Sequence, residues 1–126
     1  MNVVDSSGWL EYMADGPNAG FFADAIEATR DLVVPTLSVY EVFKRVMQQR
    51  GEGSALQVVV VMQQGTVVEL SSTLALRAAR VSVELQLPMP DSIMLATARA
   101  YAATLWTQDA DFARVAGVKY IARARA

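Results

Sequence analysis

The chain has neither cysteine nor histidine among its 126 residues. Without cysteine there is no disulfide framework and no thiol nucleophile, and the composition suits a reducing compartment without requiring one. The absence of histidine excludes more. A zinc site lacking both His and Cys is disfavoured, and neither a Ser-His-Asp nor a Cys-His mechanism can be assembled. Any chemistry must therefore use carboxylates, hydroxyls, Lys or Arg, and oxygen-only ligation points to Mg²⁺ or Mn²⁺. Long apolar runs are missing too. Stretches such as Val58 to Met62 fall far short of the ~18 residues that cross a bilayer, so no membrane span is expected. The start, Met1-Asn2-Val3-Val4-Asp5, lacks the basic and then apolar segments of a secretory signal, and the cytoplasm is the expected location. Positive charge is not in excess either. A net charge of −2 argues against a strongly cationic nucleic-acid binder, although a whole-chain figure can hide a local basic face.

What is present suffices for one folded domain spanning residues 1–126. The composition is 53% hydrophobic and 19% charged, which excludes disorder, and domains of this size bury roughly two-thirds of their unfolded surface. Val3-Val4 is a short strand ending at Asp5, after which Ser6-Ser7 can cap a helix to about Ala14 with Trp9, Leu10 and Met13 inward. Asp15 to Asn18 is a turn, and a second helix is expected over about Pro17 to Thr29. Leu32-Val33-Val34 reads as a strand stopped by Pro35. A helix from Ser38 to Arg50 ends at Gly51, and another covers about Ser54 to Gln64, although the Val58 to Val61 run leaves a strand open. Val67 to Leu70 is a third strand. Ser72 caps a helix to about Gln86; Asp91 to Ala103 is an alanine-rich helix after the turn Leu87-Pro88-Met89-Pro90. Leu105 to Thr107, a short helix from Asp109 to Val115 and a last strand from Val118 to Ile121 complete the chain, with Ala122 to Ala126 expected as a mobile tail. Strands alternating with helices imply an α/β fold whose mostly parallel sheet of four to five strands is covered on both faces.

That arrangement gives four scattered acids a common setting. Asp5 and Asp109 lie just past strands, on the carboxyl edge where open α/β sheets bind ligands. Asp91 opens a helix that must begin near the same edge to return the chain, and Glu41 lies one turn into the helix after the second strand. Asp111 is a candidate fifth member. Singly, each has a plainer role: Ser38 and Glu41 match a capping box, Asp91 and Asp109 suit N-caps, and Asp5 can close a strand. Together they would repel one another unless a cation sat among them.

The stretches Val3 to Tyr12, Pro35 to Val42, Leu87 to Ala98 and Thr107 to Phe112, in that order and spacing, resemble PIN-domain ribonucleases, specifically the VapC toxins of VapBC toxin–antitoxin pairs. The resemblance implies a three-layer α/β/α fold and an acidic quartet at Asp5, Glu41, Asp91 and Asp109. It implies Ser6 and Thr107 as supporting hydroxyls and Asp111 as a less consistent ligand. It further implies Mg²⁺ or Mn²⁺, cleavage of single-stranded RNA, a homodimer and a VapB-like antitoxin. Where Gln108 stands the family often has Arg or Lys, so a contact to substrate phosphate is expected to be missing there. The chemistry expected is hydrolysis by a metal-activated water, with Asp5, Asp91 and Asp109 as ligands and Glu41 acting through water or as proton acceptor. Lys44, Arg45, Arg50, Arg77, Arg80 and Arg99 are candidates to steer RNA, or a solvated face. Trp9, Tyr12, Phe21 and Phe22 suit core or a groove for a partner helix, and Tyr40, Phe43 and Val58 to Met62 suit core or a dimer contact. Other readings stay open: a PIN nuclease of RNA maturation, a catalytically silent dimerisation domain, or a receiver-like module using Asp5, Thr107 and Lys119. The last lacks an acceptor aspartate, because Leu70 leads into Ser71-Ser72-Thr73.

Overall fold

Short runs of branched apolar residues become strands wherever both of their faces find cover. In the computed structural model, which describes residues 1–124, these are β1 (Asn2–Val4), β2 (Leu32–Pro35), β3 (Thr66–Val68), β4 (Thr104–Thr107) and β5 (Val118–Tyr120). They form one sheet in the order β3-β2-β1-β4-β5, and every pairing is parallel. The expected tail ends at Arg125 and Ala126, which lie outside the described residues.

Alternation along the strands divides the core in two. Val3, Val33 and Leu105, in register across the three middle strands, pack on α5 (Ser72–Leu85) and α6 (Met89–Ala100). Val4, Leu32 and Val34 face the other way. They are covered by α1 (Ser6–Met13), α2 (Ala19–Glu27), α3 (Thr36–Arg50) and α4 (Glu52–Met62), through Trp9, Phe22, Val42 and Met62 among others. The result is the three-layer α/β/α arrangement. No helix is long and apolar enough to cross a membrane among the described residues.

Several element ends differ from the sequence expectation. The valine-rich stretch is helical because Ala55, Val58 and Met62 are buried at helical spacing, so packing overrides weak propensity. The second helix is shorter than expected, and β3 stops at Val68, which pairs with Pro35 at the end of β2. The segment after Asp109 is only a 3₁₀ turn, Ala110–Phe112, anchored by fully buried Phe112. Ser6 and Ser7 do not cap α1. Asp5 does, accepting from Ser6 N. Nor does a capping box form on α3: the cap position is Pro35, and Ser38 is buried with its hydroxyl donating to Met94 Sδ at 3.3 Å. Asp91 lies within the first turn of α6, behind Pro88 at its cap position.

Gly8 sets how closely α1 approaches the sheet. A Cβ there would lie 2.6 Å from Phe22 Cε1 and 2.8 Å from Val4 Cγ1. Gly8→Ala is expected to lower stability: overpacking costs about 1–3 kcal/mol, and the better helix propensity of alanine returns at most about 1. Urea unfolding would show this as a lower midpoint at unchanged slope. An unchanged or raised midpoint would contradict the packing described.

Candidate metal centre

The chain passes from β1 to β2 and β3 on one side, then returns to place β4 on the other side of β1. Connections therefore leave β1 and β4 in opposite directions, and a crevice opens beyond their carboxyl ends. Asp5 follows β1 and Asp109 follows β4 by two residues. Asp5 N donates to Trp106 O at 2.9 Å, which extends the β1–β4 ladder and fixes the start of the crevice.

Asp5 is 5% exposed and heavily anchored. Its Oδ1 accepts from Ser6 N at 2.7 Å, while Oδ2 accepts from Ser7 Oγ at 3.1 Å and from Thr107 Oγ1 at 2.8 Å. Thr107, fully buried, uses the same oxygen to accept from Asp109 N at 2.9 Å. One hydroxyl thus joins the two acids. Asp109 Oδ1 accepts from Asp111 N at 3.0 Å and so closes the 3₁₀ turn. Asp91, 8% exposed, arrives from the first turn of α6. One carboxylate oxygen from each of Asp5, Asp91 and Asp109 lies within 4.8 Å of the other two.

Glu41 stands outside that set and is tied to it through Ser6, whose Oγ donates to Glu41 Oε1 at 2.8 Å. Asp111 is near enough to Asp91 to hydrogen-bond with it and raise its pKa. Of the sequence candidates, then, three acids meet, Glu41 adjoins them through Ser6, Asp111 borders Asp91, and Thr107 bridges two of the three.

Burial, helped by the charge of neighbouring acids, raises three of these carboxyls. Burial, then the charge of Asp109, the hydrogen bond to Asp111 and the charges of Asp5 and Asp111 push Asp91 up to about 8. Burial raises Asp5 despite three donors, with Asp109 adding to the effect. Glu41 is raised by burial and by the charge of Asp5, against the Ser6 hydrogen bond. An all-oxygen set of this size fits a divalent cation: at ligand distances of about 2.0–2.6 Å, two oxygens on one ion stand up to about 5 Å apart. A divalent ion would also supply the positive charge the cluster needs.

The sign of the pH dependence follows. A carboxyl with a raised folded-state pKa stabilises the fold below its unfolded value, near 4, and this stability is lost as pH rises through about 8 for Asp91. Metal-free protein is expected to melt at falling temperatures between those limits, and Asp91→Asn to flatten the slope. Mn²⁺ affinity should rise with pH over the same range, at most about tenfold per unit. A metal-free melting profile that rises from pH 5 to 8 would contradict the clustering.

Two buried polar residues escaped the sequence reading in this role. Gln108 is 4% exposed, its Oε1 accepting from Asn18 Nδ2 at 3.0 Å and its Nε2 donating to Ser7 O at 3.3 Å. Asn18 Nδ2 also donates to Ala122 O at 3.0 Å. No spacing signal marks either residue; the pair are 90 positions apart.

The other candidates separate by burial. Trp9 and Phe22 are fully buried core; Phe21 is half-buried edge-on to Trp106, and Tyr12 Oη donates to Glu27. On the α3–α4 hairpin Val58 and Met62 are buried, Phe43 packs against the core, and Tyr40 and Val60 are exposed. Arg77, Arg80 and Arg99 line a cleft between α5 and α6, towards the opposite end of α6 from Asp91. Lys44 Nζ sits 5.6 Å from the Tyr40 ring centroid.

A five-stranded parallel sheet between two helical layers, with carboxylates gathered at its switch point, defines an α/β protein carrying an acidic cation-type crevice. The PIN domain family model matches residues 3–118. The chain belongs to that family. PIN-domain nucleases are hydrolases acting on nucleic acids and use divalent metal ions. No curated protein sequence matches the chain. Among solved structures, it is similar to a toxin–antitoxin complex from Klebsiella pneumoniae, at 22% identity and a TM-score of 0.79, over 94% of this chain and 95% of the other. It is also similar to a sarcin–ricin-loop-cleaving VapC toxin of Mycobacterium tuberculosis, at 16% identity and a TM-score of 0.76 (94% and 98%). A third is DNA-bound VapBC from Salmonella typhimurium, at 13% identity and a TM-score of 0.72 (97% and 98%).

Proposed function

We propose that this chain is a divalent-metal-dependent endoribonuclease, the toxin of a VapBC-type pair, that hydrolyses RNA phosphodiester bonds and is held inactive by a small antitoxin. The observation that carries the reading is the approach of Asp5, Asp91 and Asp109 to within 4.8 Å at the crevice of a PIN-family fold. The partner assignment draws on the structural neighbours, which include a toxin–antitoxin complex and VapBC structures. A homodimer is part of the same proposal.

Asp5, Asp91 and Asp109 would hold Mg²⁺ or Mn²⁺, with Asp111 as a further ligand beside Asp91. When bound, the ion supplies Lewis acidity at the phosphodiester and makes water nucleophilic near neutral pH. The protein's own part is positioning. Three donors fix Asp5, so its oxygens need no reorganisation when charge develops. Thr107 keeps Asp109 in step with it. Glu41, oriented by Ser6 and raised above the usual carboxylate range, is the proton acceptor in this scheme.

The test is labelled RNA incubated with purified chain and Mn²⁺, with and without excess chelator. Cleavage is expected only in free Mn²⁺. Equal cleavage in both conditions would break the proposal.

A further inference from the structure

A divalent ion would offset the charge of its own ligands, and an RNA backbone passing beside the crevice would gain further from a protein cation at the carboxyl edge of the sheet. Of the chain's 11 Lys and Arg residues, Lys44, Arg45 and Arg50 follow Glu41 along α3, with Lys44 turned onto the Tyr40 ring and Arg50 in the last turn, and most of the others are further from the crevice. Arg30 precedes β2 at the amino edge; Arg77, Arg80 and Arg99 line the α5–α6 cleft. Lys119 lies within β5, its Nζ 4.4 Å from the Trp106 ring centroid. Arg114 belongs to the segment that returns from the 3₁₀ turn towards the start of β5.

The chain end is different. Ile121 N donates to Thr107 O at 3.1 Å, so the β5 ladder continues beyond Tyr120, which is in register with Thr107. Ala122 is then held by the buried Asn18 amide, which also grips Gln108; Gln108 holds Ser7 O, and Ser7 Oγ donates to Asp5 Oδ2. Four successive hydrogen bonds thus connect the backbone at Ala122 to a carboxylate of the crevice. The next residue, Arg123, is exposed.

Resting on the ribonuclease reading above, we propose that Arg123 is a substrate-positioning residue that contacts an RNA phosphate beside the crevice, and that the Asn18–Gln108 amide pair is the anchor that delivers it there. A guanidinium suits a phosphate because it offers two parallel donors and keeps its charge at all relevant pH. The anchor matters because an unanchored segment would lose more entropy on binding.

The test uses the full chain, Mn²⁺ and a fluorescent single-stranded RNA oligonucleotide, with binding read by anisotropy in chelator and cleavage read separately. Arg123→Gln is expected to raise Kd and KM about tenfold with kcat changed less than about twofold, and to reduce the salt slope by about 0.7. Arg123→Lys should recover the salt slope and part of the affinity. Asn18→Ala should raise KM in the same direction and add little to Arg123→Gln in the double variant. The melting temperature of Arg123→Gln should match the wild type, which separates this role from a structural one. Wild-type KM and salt slope in Arg123→Gln, or a loss confined to kcat, would overturn the proposal. If wild type binds the oligonucleotide through Arg123 yet cleaves nothing, the catalytic reading fails and the contact stands. If wild type neither binds nor cleaves, both fall.

Discussion

Asp91→Asn should lower metal-dependent RNA cleavage by about a thousandfold or more while the metal-free protein becomes more stable at neutral pH. The two effects share one cause. Metal-ion stabilisation of the developing charge is worth several kcal/mol, and each 1.36 kcal/mol is tenfold in rate, so losing a ligand from the set removes about three decades. In the metal-free fold the same carboxyl is a liability. Burial and its acidic neighbours push it up to about 8, so above about pH 4 the unfolded chain, where this group ionises freely, gains on the fold. Asparagine keeps the shape and removes the charge. Cleavage rates with Mn²⁺ and melting temperatures in chelator, taken on one preparation, check both halves. A variant that loses activity and also melts lower in chelator would point to a structural carboxylate instead.

Thr107→Val should reduce Mn²⁺ affinity by about 10–100-fold, the usual cost of removing a partner that orients a ligand, and kcat by about a hundredfold through misplacement. The substitution is nearly isosteric, and Thr107 is fully buried, so cavity formation is not the issue. What disappears is one hydroxyl with two duties: donating to Asp5 Oδ2 at 2.8 Å and accepting from Asp109 N at 2.9 Å. An orphaned N–H at Asp109 costs about 1–3 kcal/mol, so a lower melting temperature should accompany the loss. Thr107→Ser keeps the hydroxyl and should retain most of the metal affinity. A valine variant that keeps wild-type metal affinity while the serine variant loses it would show that the methyl packing, rather than the bridge, matters.

The strand ends were the legible part of this site. Leu32-Val33-Val34 is a branched apolar run closed by Pro35, and β2 has those bounds. Asp5 and Asp109 follow comparable runs, and parallel pairing is enough to place both on one edge. Their local roles were less legible, because capping depends on backbone path. Asp5 took the cap assigned to Ser6 and Ser7, and Ser38 spent its hydroxyl on Met94, 56 residues away, instead of closing a capping box with Glu41. The Val58 to Val61 run was ambiguous because strand and buried helix share its composition; only the layer it covers decides. Gln108 and Asn18 were the least legible. Amides in turns are ordinarily solvated, and nothing in their neighbourhoods encodes a contact made across the whole chain.

The central claim is that three distant acids share one divalent ion. Anomalous diffraction from crystals equilibrated with Mn²⁺ tests it most directly. The account predicts a single strong peak within about 2.0–2.6 Å of carboxylate oxygens from Asp5, Asp91 and Asp109 together. Manganese bound elsewhere, or held by only one of the three at saturating concentration, would contradict it.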